Sequence, residues 1–106
     1  MALKSNAPRI EVSFTIHSNR LQTVLVRQRI TENVRGLLSG PNVSGGGDSK
    51  SEMVRMNVAL HLDGSVTSAV DKNIISTWLQ GVEKSSIDDV EITRIYPDGQ
   101  RQTTYE

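Results

Sequence analysis

Two histidines and a set of arginines are the side chains of this 106-residue chain whose types and spacing could do chemistry. An imidazole changes its protonation close to neutral pH, so a pair of them can act as acid and base on one substrate. His17 and His61 each end an alternating apolar run and lie opposite its apolar stripe. If the two runs are neighbouring strands, these imidazoles approach one another. The arginines offer different chemistry. Arg20, Arg27, Arg29 and Arg35 fall within sixteen residues and Arg55 follows. Guanidinium forks suit the oxygens of phosphate or carboxylate groups.

Composition excludes several other sites. The chain has no cysteine, which removes disulfides, thiolate zinc sites and a cysteine nucleophile together. His17, His61 and Asp63 are too few for a zinc ligand set, so neither a metal nor another cofactor is expected. Gly40 and Gly45 have the spacing of the glycines in a phosphate-binding loop. Gly46 stands where that motif needs lysine, and the loop leads from a helical run into a strand, the reverse of the required order. No serine sits in a G-x-S-x-G elbow. Asp88-Asp89-Val90-Glu91 lacks calcium-loop spacing and reads as a solvated strand start.

The net charge is zero but segregated. Residues 1–47 hold six cations against two acids, and residues 48–106 hold six against ten. Such asymmetry suits an anion-binding face or two complementary surfaces in an oligomer. Aromatic residues make up only 4 % of the chain. Phe14 and Trp78 read as core, which leaves little of the stacking platform that RNA-binding sheets use. Nucleic acid is therefore a possible partner but not the favoured one. No apolar run approaches the roughly 20 residues that span a bilayer, and residues 1–8 lack a signal-peptide core. A cytoplasmic protein without membrane contacts is expected.

The elements that must position these side chains follow from apolar periodicity. Ile10, Val12, Phe14 and Ile16 alternate with polar residues, as do Val54, Met56, Val58, Leu60 and Leu62. Both runs read as strands buried on one face. Residues 21–38 are ambiguous. At 100° per residue, Leu21, Val24 and Leu25 lie opposite Val26, Ile30, Val34 and Leu37, so one continuous helix would be apolar on two sides. A strand over 21–30 and a helix over 32–39 capped by Thr31 remove that conflict. A turn at Ser18-Asn19-Arg20 would then pair Phe14 with Val24. Asp63-Gly64 reads as a hairpin turn into a strand over 65–70. Ile74, Ile75, Trp78, Leu79 and Val82 form a helical stripe behind Asp71. Val90, Ile92 and Tyr96 share a strand face, and Tyr96-Pro97-Asp98-Gly99 turns the chain into a last strand near 100–105.

The expected fold is α+β: a two-layer sandwich, an antiparallel sheet with two helices on one face, in ββαββαββ order. The alternative is a ferredoxin-like βαββαβ domain, which follows if residues 20–39 form one helix. One domain over 1–106 is expected, with a flexible N-terminus at 1–8 and a flexible Gly/Ser loop at 40–51. Leu25, Val66, Val70 and Ile95 fall off their strands' apolar faces, which points to a homodimer. The functional expectation is a small non-catalytic binding or regulatory module, homodimeric, acting through protein contacts or capture of an anionic ligand. Arg20, Arg27, Arg29, Arg35 and Arg55 would be its contacts. The alternatives are an RNA- or DNA-binding accessory protein, and a small enzyme using His17 and His61 as acid and base.

Overall fold

The computed structural model describes residues 9–45, 53–63, 70–82 and 85–106. Among these residues five strands and two helices run in the order β1 (Arg9–Asn19), a 3-10 turn (Arg20–Gln22), α1 (Thr23–Asn33), β2 (Asn42–Gly45), β3 (Met53–Leu62), α2 (Lys72–Trp78), β4 (Ser86–Ile95) and β5 (Arg101–Tyr105). The class is α+β. All strand pairs are antiparallel in one sheet of order β2-β3-β1-β4-β5. The predicted turn at Asp63-Gly64, the strand over 65–70 including Val66, residues 1–8 and residues 46–52 lie wholly or mostly outside the described residues.

Strict alternation makes β1 and β3 the centre of the sheet. Phe14 faces Val58 and Ile16 faces Met56, so apolar side chains meet on one face. Ile10, Val12, Phe14 and Ile16 join Val54 to Leu62 at alternate positions, and Val90 and Ile92 of β4, in one buried cluster. The helices close that cluster. α1 contributes Val26 and Ile30, followed by Val34 at its C-terminus, and the α2 region contributes Ile75, Trp78, Leu79 and Val82. Asp71 caps α2 by accepting a hydrogen bond from the Ile74 amide at 2.9 Å, as an N-terminal carboxylate should.

Residues 21–30 are not a strand. The Asn19 side chain accepts from the Leu21 amide at 2.9 Å and starts a helical path where a hairpin was expected. The objection to a helix assumed that every apolar residue must be buried. Leu21 and Val24 are instead 78 % and 76 % exposed. Thr31 is not an N-cap either: it lies in the last turns of α1, and its hydroxyl donates to the Arg27 carbonyl at 2.9 Å. Nothing helical follows over 34–39. There the backbone passes through Gly36, with φ of 72°, and Leu37 forms a bridge to Leu62 at the end of β3.

Two other expectations change. Within the stretch predicted as a loop, Asn42–Gly45 pairs with Met56–Ala59 as the edge strand β2. Gly45 has a φ of 92°, and a Cβ there would stand 2.6 Å from the Arg55 carbonyl oxygen, so the approach of β2 to β3 requires glycine. Val70 is buried in the main core, and Leu25 packs against it, so neither forms an apolar patch on the second face. The last hairpin agrees with its sequence: the Gly99 amide donates to the Tyr96 carbonyl at 2.9 Å, and Gly99 holds a φ of 92°.

The helical assignment has a direct consequence for stability. Ile30→Ala should destabilise the protein by about 2–5 kcal/mol, whereas Val24→Ala should stay within about 0.5 kcal/mol. Urea unfolding of both variants checks this. Equal losses would return Val24 to the core face that a strand over 21–30 would give it.

Candidate functional site

The arginines are separated by the helix that carries them. On a strand Arg27 and Arg29 would project together, but two residues on a helix turn the side chain to nearly the opposite side. Arg29 turns inward and lies against the segment after α2. Its Nε is buried without a hydrogen-bond partner, its Nη1 is 3.6 Å from Glu32, and a Cβ at Gly81 would touch its guanidinium at 3.6 Å. It is a packing residue there. Arg35 is exposed in the turn beyond the C-terminus of α1. Arg55 projects from the other face of the sheet, where its Nη2 is 3.8 Å from Asp89.

Arg20 and Arg27 do come together. With Thr23, Val24, Val43 and Gly45 they line a depression of about 270 Å³ between the start of α1 and β2. The Arg27 guanidinium donates to the Val43 carbonyl at 3.3 Å. Among the described residues it pairs with no carboxylate.

The histidines do not meet. Both belong to the face of the sheet opposite the core, but His17 stands across from Arg55 and His61 across from Glu11. Six strand positions separate them, roughly 20 Å at the usual rise. Each has a carboxylate neighbour instead: His17 Nε2 is 3.1 Å from Asp88, and His61 Nδ1 is 3.6 Å from Glu11. Glu11 in turn accepts from Arg101 at 2.7 Å. These are solvated cross-strand contacts of small energetic weight. The acid–base pair expected of His17 and His61 therefore does not form within one chain. Among the described residues no three metal-ligating side chains gather.

The acidic residues Asp88, Asp89 and Glu91 lie toward the start of β4, as the sequence suggests, on this open face. Between Ser13 opposite Glu91 and Thr15 opposite Asp88 the register shifts, so β4 carries one residue more than β1 and forms a β-bulge. Asp89 there has a φ of 57°, a left-handed conformation that aspartate tolerates better than most residues. The bulge explains how Ile87, Val90 and Ile92 all reach the core although their spacing breaks alternation. It also holds Asp89 beside a cleft of about 360 Å³ that Ser13, Thr15, Asn42, Ser44, Asn57 and Glu91 help to line. The parity change from Ile87 to Val90 and Ile92 was the signal in the sequence that could have located this cleft.

Compared with known protein families, curated proteins and solved structures, the chain matches none. Its site is therefore defined by geometry alone.

The left-handed residue gives a test of the bulge. Asp89→Gly should keep or slightly raise stability, since glycine adopts this conformation freely and the pair with Arg55 is solvated. Asp89→Val should lower it by about 1–2 kcal/mol. Thermal unfolding of the two variants distinguishes them, and equal stabilities would contradict the bulge.

Proposed function

We propose that this protein is a non-catalytic binding module that captures an anionic group through Arg20 and Arg27. The observation that carries this reading is their convergence on one depression beside β2, with Arg27 unaccompanied by a carboxylate among the described residues. Thr23 adds a hydroxyl to the same wall. A guanidinium whose partner is a neutral carbonyl keeps its attraction for an incoming oxyanion. The ligand class is a phosphate or carboxylate group, on a small molecule or on a protein partner. We read the architecture as two layers, a ferredoxin-like βαββαβ arrangement extended by the fifth strand, β5.

Nucleic acid is the weaker reading. The sheet face that an RNA-binding domain of this order would present carries Glu11, Asp88, Asp89 and Glu91, and carboxylates there oppose a phosphate backbone. Leu21 and Val24, both largely exposed apolar side chains, support association with a second copy as a companion property.

Retention on phosphocellulose at low salt tests the reading. The wild-type protein should bind and elute as salt rises, whereas the Arg20→Ala, Arg27→Ala double variant should flow through with an unchanged circular dichroism spectrum. Equal retention of the two proteins would overturn the assignment. In sedimentation velocity, a wild-type dimer that becomes a monomer on Leu21→Ser with Val24→Ser supports the companion property, and a wild-type monomer removes it.

A further inference from the structure

The polar face of the sheet forms a separate feature, on the side opposite the helices. One row of residues crosses all five strands: Asn42 stands opposite Ala59, Ala59 opposite Ser13, Ser13 opposite Glu91, and Glu91 opposite Tyr105. Paired residues of antiparallel strands project to the same side, so these five side chains share the open face. At about 4.8 Å per strand the row is roughly 19 Å long. Its centre is low because Ala59 and Ser13 are small. Depressions of about 360 and 200 Å³ lie on either side, and both touch Ser13, Ala59 and Glu91. The result is one continuous trough.

We infer that this trough binds a neutral polyhydroxylated ligand, an oligosaccharide lying across the strands. The larger depression falls within the size range of ligand sites, and its groups both donate and accept. The Thr15 hydroxyl donates to Asn57 Oδ1 at 3.2 Å, which fixes the carboxamide and leaves its Nδ2 hydrogens for another acceptor. Asn42 adds a second carboxamide, and Ser13 and Ser44 add hydroxyls. Glu91 is half-buried and pairs with no cation among the described residues, so both its oxygens can accept from adjacent ligand hydroxyls. At the end of the row Tyr105 is 73 % exposed, and its ring offers an apolar platform with a polar tip.

Other ligand classes fit less well. An anion meets Glu91 and Asp89. An extended apolar ligand finds walls of amide, hydroxyl and carboxylate. A cation finds most of the acids on this face engaged already, since Asp89 faces Arg55, Asp88 faces His17 and Glu11 faces Arg101. Hydroxyls and carboxamides outnumber the one carboxylate that has no cationic neighbour, and that mixture matches the alternating donors and acceptors of a sugar.

The test is titration of the 15N-labelled full chain with maltohexaose, cellohexaose and chitohexaose, with spermidine as a cationic comparison, followed by amide shifts. At least one hexasaccharide should shift the amides of Ser13, Asn57, Ala59 and Glu91 as one group. Glu91→Ala and Tyr105→Ala should each weaken that binding by about tenfold, the loss of one charge-assisted hydrogen bond or one stacking contact. Tyr105 is exposed on an edge strand, so its variant keeps the fold, and the spectrum verifies this. The Arg20→Ala, Arg27→Ala variant should bind the sugar unchanged, which separates this site from the anion-binding depression. No shift with any of the three sugars, shifts with spermidine alone, or affinity unchanged in both trough variants would overturn the inference.

Discussion

Pairing of β1 along both of its edges is the constraint on which the rest of the structure depends. One strand, Arg9–Asn19, sets the register of β3 on one side and of β4 on the other. Its even-numbered residues from Ile10 to Ile16 are almost fully buried, and side chains alternate with period two. A slip of one residue would therefore bury Glu11, Ser13 and His17 and expose four core residues. That cost locks the register. The two edge strands, β2 and β5, are short, which limits further strand addition at the edges.

The same alternation separates two kinds of surface. One face of the sheet is covered by Val26 and Ile30 of α1 and by Ile75 and Trp78 of α2. The other keeps its polar residues in cross-strand contact: His17 with Asp88, Glu11 with His61 and Arg101, Thr15 with Asn57, and Thr93 with Thr103 at 3.0 Å. The β4 bulge bends this pattern at one place and moves Asp89 next to the cleft. Charge follows the division as well. Arg20 and Arg27 lie on the helical side, and most of the acids of β1 and β4 lie on the open side. The two candidate sites thus differ in chemistry because they are built on opposite faces of one sheet.

Much of this was legible in the residues. The alternation of 10–17 and 54–62, the capped stripe behind Asp71 and the Tyr96–Gly99 turn each carry a local signal that tertiary packing had no reason to override. Residues 21–38 were harder because α1 buries only Val26 and Ile30 within its span. Val24 within it and Leu21 just before it face solvent, and Leu25 is only partly buried, so the pattern resembles neither a clean helix nor a clean strand. Asn19 followed by Arg20-Leu21 was the missed cap. For the sites, the arginine run was visible but its division was not, because the direction of each guanidinium depends on whether the segment is helix or strand. The trough was invisible for a different reason. Its five residues lie on five strands and meet only through pairings that no local pattern specifies.

The central claim is that β1 pairs with β3 and β4 while residues 23–33 form a helix, and cross-strand nuclear Overhauser effects test it most directly. The account predicts backbone contacts from Val12–Ile16 to Met56–Leu60 and to Ile87–Ile92, with sequential amide–amide contacts along Thr23–Asn33. Backbone contacts between Val12–Ile16 and Gln22–Val26, the hairpin that the alternation of 21–30 suggests, would contradict it and remove both proposed sites together.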